Sequence, residues 1–304
     1  MKKISVIIVT YNSENHIYDC LESLFNYNDI GNELEVIVVD NNSKNGSELK
    51  KKLKILYDNR IIFIENEKNG GYGQGNNLGI RVSVSPIIMI MNPDVRLIMP
   101  LFKSALRVFE KKNVVEYGVQ QLNKDLKKLC SVGVSSIIHP LIAMPLLYLS
   151  NKIGFFFPKW MFLQGACFFI RKSVFEEVGL FDERLFMYRE EDDIHYRLMK
   201  KDKKNTIVFN NKLSYLHLHG NYMTERSINN CEHERASLNN CILINKERGI
   251  NSNIILRRNI LSTQMLILKY KIMSWFKHDE QTLHYYLHLK QWLLCINEIK
   301  KATI

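Results

Sequence analysis

Carboxylates dominate the side chains of this sequence that are able to do chemistry. Glu190-Glu191-Asp192-Asp193 sets four acids in a row at the head of a polar stretch, 189–201, in which Ile194 and Leu198 lie four apart on one helix face. Such a block suits a solvated helix start, favoured by the helix dipole. It also suits a general base, because neighbouring acids raise its pKa by like-charge repulsion. Asp94, in Asn92-Pro93-Asp94, ends an apolar run and offers the hard oxygen that Mg²⁺ or Mn²⁺ prefers, though Asn-Pro-Asp is equally a turn. His217 and His219 alternate in Leu216-His217-Leu218-His219-Gly220, so on a strand at most one faces a shared site, where its imidazole could complete a cation's shell beside Asp94. Asp40 closes the run Val38-Val39-Asp40 and can accept hydrogen bonds from a base N–H or a ribose hydroxyl, or simply form a turn.

These residues need elements to hold them. Ile4–Thr10 reads as a buried strand and 16–27 as a helix with Ile17, Cys20, Leu21, Leu24 and Phe25 at helical spacing. Leu34–Asp40 reads as a second strand, 47–57 as a second helix and 60–65 as a third strand. The glycine-rich stretch 69–79 reads as a loop before a short helix, Ile87–Met91 as a fourth strand and 100–111 as a helix. Strand alternating with helix implies an α/β fold, with a mostly parallel sheet covered on both faces and ligands beyond the carboxyl ends of the strands. Tyr11-Asn12, Asp40-Asn41-Asn42-Ser43 and Asn92-Pro93-Asp94 then open onto one edge. Further on, 162–171 and 206–210 read as strands, 173–178 as a short helix, and the chain from about 225 onward as helical.

Composition narrows the classes. The 304 residues carry 42 Lys and Arg against 31 Asp and Glu, a formal charge of +11, which points to an anionic partner such as a phosphate compound or an acidic membrane surface. No nucleic-acid-binding module is recognisable, so nucleic acid is not expected as a partner. The six cysteines form no CxxC pair and no secretory leader is seen, so free thiols and a cytoplasmic location are expected. The segment 129–151 has no charged residue but holds Pro140 and Pro145; it reads as a loop or broken helix, packed or touching membrane or acceptor lipid. In 254–277, Leu261, Met265, Leu268, Ile272 and Trp275 fall on one helix face, and the bases are Arg257, Arg258, Lys269, Lys271 and Lys277 with no acid. That pattern fits a helix lying on anionic lipid, peripheral at the inner face of the cell membrane, or one packed against the catalytic domain or a second subunit, as in a homodimer through the C-terminal helices.

Taken in order, several motifs resemble the family-2 inverting glycosyltransferases. They are Val6-Ile7-Ile8-Val9-Thr10-Tyr11-Asn12, Val38-Val39-Asp40-Asn41-Asn42-Ser43, the 69–77 stretch and Met91-Asn92-Pro93-Asp94, followed by Gln164-Gly165-Ala166, Gly179-Leu180-Phe181-Asp182-Glu183, Phe186 to Asp193 and His217-Leu218-His219-Gly220. The subgroup most similar is that of bacterial rhamnosyltransferases of O-antigen and cell-wall polysaccharide synthesis. The resemblance implies a GT-A fold over 1–224, with a nucleotide-binding half at 1–112 and an acceptor half at 113–224, and a helical extension at 225–304. It implies a nucleotide pocket drawn from Thr10, Tyr11, Asn12, Asp40, Asn69, Asn76 and Asn92, a divalent cation (Mg²⁺ or Mn²⁺) on Asp94 and His217, and acceptor contacts at Gly165 and Ala166. Glu191 stands where the family usually has its catalytic Asp, and Asp192 where an apolar residue is common; Glu190 and Asp193 are the other candidate bases. The activity implied is transfer of rhamnose or another hexose from a dTDP- or UDP-sugar to a saccharide or lipid-linked saccharide, with inversion. A scaffold that keeps this fold without turnover is the alternative.

Overall fold

The computed structural model describes residues 1–218, 231–276 and 280–303. His219, Gly220, Lys277 and the expected boundary at 224/225 lie outside the described residues. The chain divides into two compact units, residues 1–135 with 146–218, and residues 136–145 with 219–304.

The first unit opens with β1 (Ile4–Thr10), α1 (Glu14–Asn26), β2 (Leu34–Asp40), α2 (Gly46–Tyr57), β3 (Ile62–Glu65), α3 (Gly71–Val82) and β4 (Ile87–Met91). It continues with β5 (Val95–Leu97), α4 (Phe102–Phe109), β6 (Val114–Leu122) and β7 (Val132–Val134). Next come α5 (Pro140–Ile153), β8 (Met161–Leu163), β9 (Cys167–Arg171), α6 (Lys172–Glu177), α7 (Glu190–Lys201) and β10 (Thr206–His217). Eight strands form one sheet in the order β3-β2-β1-β4-β9-β6-β10-β5, and β7 pairs with β8 apart from it. β3, β2, β1 and β4 run parallel, as do β6 and β10, while β9 and β5 are antiparallel to their neighbours. This is the mostly parallel, doubly covered sheet expected.

Strand alternation supplies both cores. On β1, Ile4, Val6 and Ile8 face α1, α2 and α4 through Ile17, Leu21, Leu49 and Phe102. Ile7 faces the other way, where α3, α6 and α7 contribute Ile80, Phe175, Ile194 and Leu198. In the second unit α8 (Glu232–Glu247), α9 (Ser252–Phe276) and α10 (Glu280–Thr303) gather Leu238, Cys241, Leu256, Trp292 and Ile296 into a smaller core.

Four expectations change. The glycine-rich stretch is helix from Gly71 on, because its glycines let α3 lie close to the sheet. A Cβ on Gly79 would come within 2.6 Å of Ile7 Cγ2, and one on Gly75 within 2.8 Å of Val9 Cγ1. The 129–151 stretch contains an intact helix, α5, with Pro140 at its first position, where a missing N–H costs nothing, and Pro145 inside it. The run 162–171 is two strands with a break at 164–166. Finally, β10 continues to His217 because a register shift between Asn210 and Ser214 absorbs the polar Asn210-Asn211-Lys212.

Close packing on Ile7 and Val39 should make α3 intolerant of even a methyl group. Ala is the better helix former by about 1 kcal/mol. Gly79→Ala is nevertheless expected to lower the unfolding free energy by roughly 1 kcal/mol or more, read by denaturant titration.

Candidate active site

The carboxyl ends of β1, β2 and β4 form one rim. Thr10 and Asp40 are register partners there and both are buried. Asp40 Oδ2 accepts the Ser43 N–H at 3.0 Å, whereas Asp40 Oδ1 and Thr10 Oγ1 have no protein partner. Buried oxygens of this kind ask for a ligand's donors. Asn76, one turn into α3, gives its amide N–H to the Tyr72 carbonyl at 2.9 Å and leaves its buried Oδ1 without a partner. Tyr11 is about half exposed at the same edge.

Asn12 and Asn69 play a framing part. Asn12, at φ 49°, receives the Lys44 N–H on its side chain and gives its own N–H to Ser43 Oγ at 2.8 Å. Asn69 Oδ1 accepts from Gly71 N–H and from Asn41 Nδ2. Asn41 is the hub of this cluster, reaching also the Gly71 carbonyl at 2.9 Å and Asn66 Nδ2 at 2.7 Å. Its role is not evident from sequence, since an asparagine directly after Asp40 carries no signal beyond turn composition.

Beyond β4, the Asp94 carboxylate lies 3.3 Å from His217 Nε2. The two are brought together because β10 pairs with β5 directly after the Asn92-Pro93-Asp94 turn, with His217 opposite Val95. A carboxylate oxygen beside an imidazole nitrogen fits a hard or borderline divalent cation. Among the described residues no group of three or more His, Cys, Asp or Glu side chains forms a cation cage.

The acidic block starts α7. Arg189 and Tyr188, both at φ 78°, lead the chain into it through two successive left-handed residues, a conformation that costs L residues of order 1 kcal/mol each. The four acids then part company. Asp193 is committed to Arg197 through contacts of 2.6 and 2.8 Å, and Asp192, fully buried, accepts the Ser135 hydroxyl at 2.8 Å. Glu190 is buried, with Oε1 lacking a partner. Glu191 alone of the four keeps partial exposure. Burial, and for Glu190 the adjacent Glu191 charge, lifts both glutamates above the usual carboxylate range. Of the Asp193 carboxylate, Oδ2 carries both contacts to the Arg197 guanidinium.

The break between β8 and β9 joins these parts. The Gly165 N–H donates to the Glu191 carboxylate, and a Cβ on Gly165 would collide with Glu191 Oε1. The Gly165 carbonyl accepts the Tyr72 hydroxyl at 2.6 Å, and the Ala166 carbonyl accepts the Asn92 N–H at 2.9 Å. Gln164 Oε1 accepts from Gln121 Nε2 at 3.3 Å, and Gln121 in turn meets His217 Nδ1 at 2.9 Å. Gly165 and Ala166, expected to contact the acceptor, thus spend these backbone groups on Glu191, Tyr72 and Asn92. Tyr72 and Gln121 were missed because their partners lie 93 and 96 positions away in sequence.

Glu116 on β6 was also missed. It is buried, its Oε2 has no partner, and burial together with the Glu191 charge pushes its carboxyl up to about 8. The folded protein therefore holds a proton that the unfolded chain releases above its ordinary value of 4.5. Stability from this group is present in acid and is lost as pH rises from about 4.5 to about 8. Glu116→Gln should shrink the drop in unfolding free energy between pH 5 and pH 8.5, measured by urea titration at both pH values. The change should be a few kcal/mol at most, since each tenfold difference in proton affinity is worth about 1.4 kcal/mol.

Comparison with known proteins places this arrangement. The family model described as "Glycosyl transferase family 2" matches residues 5–179, which include the Asp40, Asp94 and Gly165 segments and end before α7 and β10. The low-salt glycan biosynthesis hexosyltransferase Agl10 of Haloferax volcanii is 28% identical over 205 residues, covering 66% of this chain and 62% of that protein. The poly(ribitol-phosphate) beta-glucosyltransferase of Bacillus spizizenii is 32% identical over 93 residues, covering 30% of this chain and 15% of that protein. The chain thus spans less than two thirds of the length of these curated relatives. Among solved structures, the mannosyltransferase PcManGT from Pyrobaculum calidifontis in complex with GDP-Man and Mn²⁺ superposes with TM-score 0.55 at 14% identity, over 96% of this chain and 69% of that one. S. aureus TarS 1–349 in complex with UDP superposes with TM-score 0.53 at 16% identity, over 88% of this chain and 72% of that one. At such identity the likeness is one of fold, the GT-A arrangement expected. With more than half of its residues matched by the family model, the chain belongs to glycosyl transferase family 2.

Proposed function

We propose that this chain is an inverting hexosyltransferase, moving a sugar from a nucleoside-diphosphate donor to a hydroxyl of a growing surface glycan. The observation that carries the reading is the bonding of one short segment, Gln164-Gly165-Ala166, to Glu191, to the Asn92 turn that bears Asp94 and, through Gln121, to His217. Proton removal and departure of a diphosphate would then occur around a single frame.

In this reading Asp40 and Thr10 receive donors of the nucleoside, with Tyr11, Asn76 and Asn92 completing the pocket. Glu191 takes the proton of the acceptor hydroxyl. Its raised pKa is suited to that task near neutral pH, and its partial exposure lets the proton leave to solvent. The acceptor oxygen bonds to the anomeric carbon as the bond to the diphosphate oxygen breaks on the opposite side, which inverts the centre. A bound Mg²⁺ or Mn²⁺, held by Asp94 and His217, would offset the charge on the leaving diphosphate. Glu190 lies deeper, its Oε1 has no protein partner, and burial with the adjacent Glu191 charge lifts its carboxyl well above the usual range. The donor we expect is a hexose, rhamnose among the candidates, on dTDP or UDP; TarS was solved with UDP.

The acceptor is expected to be carried on lipid, and α9 supports a membrane-facing role. Leu268, Ile272, Trp275 and Phe276 are exposed beside Lys269 and Lys271, a combination suited to an anionic interface. Arg258 does not belong to that surface, because its guanidinium donates to the Ser136 and Ile137 carbonyls. On α5, Tyr148, Leu149 and Ile153 are exposed as well. Among the described residues no helix is long and apolar enough to cross a membrane.

Incubation with a panel of nucleotide sugars and Mn²⁺ should release nucleoside diphosphate from one base and sugar. Glu191→Gln should lower kcat by about 10²- to 10⁴-fold with little change in donor KM. Full activity in this variant would end the assignment of the base. Sedimentation with vesicles containing anionic lipid should carry the chain down, and Trp275→Glu with Phe276→Glu should leave it in the supernatant. Equal sedimentation of the two would refute the interfacial role of α9.

A further inference from the structure

Gln121 sits near the end of β6, opposite Tyr215 of β10 across a parallel pairing. His217, two residues beyond Tyr215, therefore lies on the same face as Tyr215. Gln121 is buried and its side-chain amide is engaged at both ends. Nε2 donates to the Cys130 carbonyl at 2.9 Å and to Gln164 Oε1 at 3.3 Å, and Oε1 meets His217 Nδ1 at 2.9 Å. The Cys130 carbonyl can only accept, which fixes the amide orientation: the nitrogen points to Cys130 and the oxygen to the imidazole. An amide oxygen can only accept too, so the hydrogen of that contact belongs to Nδ1. In the neutral ring this leaves the Nε2 lone pair directed at the Asp94 carboxylate, 3.3 Å away.

We infer that Gln121 is a positioning residue for the cation site, holding the His217 proton on Nδ1 so that Nε2 is presented as a ligand beside Asp94. This rests on the reading of Asp94 and His217 as ligands. Partners of this kind set ligand tautomer and orientation, and their loss typically weakens metal binding by about 10- to 100-fold. The inference also gives the β8–β9 break a second task. Through Gln164 it steadies the amide that orients the imidazole, while Gly165 seats the carboxylate of Glu191.

The test is Mn²⁺ binding to the donor-free protein, followed by electron paramagnetic resonance of the free ion. Gln121→Leu, which keeps bulk and removes the acceptor, should weaken binding about 10- to 100-fold. Gln121→Glu, which keeps an acceptor oxygen, should restore most of it. Equal binding by the wild type and Gln121→Leu would overturn the inference, as would equal loss in both variants. Ring-nitrogen NMR of the metal-free wild type, at a pH where the imidazole is neutral, should find the His217 proton on Nδ1. A proton on Nε2 would refute the assignment even if no variant folds. Failure of the ligand reading itself looks different: wild type and His217→Ala would bind Mn²⁺ alike.

Discussion

The site depends on the room left by one missing side chain. Glu191 occupies the space that a Cβ on Gly165 would need, and the Gly165 N–H reaches its carboxylate. A carboxylate drawn out of water is tolerated only with hydrogen bonds of this sort. The same residue's carbonyl binds Tyr72 of α3, and its neighbours bind the Asn92 turn and Gln121. Position, charge state and connection to the nucleotide edge are thus set over three consecutive residues that belong to neither β8 nor β9.

Around that segment, the four acids at the head of α7 illustrate how similar side chains acquire different work from their surroundings. Asp193 faces a guanidinium and Asp192 a serine hydroxyl; both serve the fold. Burial lifts both Glu190 and Glu191 above the usual carboxylate range. Of the four, Glu191 is the most open to solvent. Its longer side chain, relative to the aspartate expected at that position, spans the gap to Gly165.

Much of the fold was legible where period and burial agree. β1, β2 and β4 are mostly apolar runs because both of their faces are covered. α1, α2 and α7 show their buried stripe directly. Strand β6 was not legible, because its buried positions include Glu116, Gln120 and Gln121, polar residues that break the strand pattern. β10 was read only to Asn210, since its register shift places three polar residues inside a strand. Asp40, Asp94, Glu191 and His217 could be found from residue type and from their places after strands or at a helix start. Tyr72 and Gln121 act through contacts across the sheet, and spacing along the chain does not encode such contacts.

The composition of α3 bears on how the protein reaches its native state. Gly71, Gly73, Gly75 and Gly79 lie within its twelve residues, and each glycine disfavours helix by about 1 kcal/mol relative to alanine. In isolation this segment would be coil. Its helix is tied to Ile7, Val9 and Val39, which offer a surface that only glycines can approach. Asn41, Asn66 and Asn69, whose amides tie α3 to the strand ends, find their partners there. Order at this edge and the helix of α3 therefore stand or fall together.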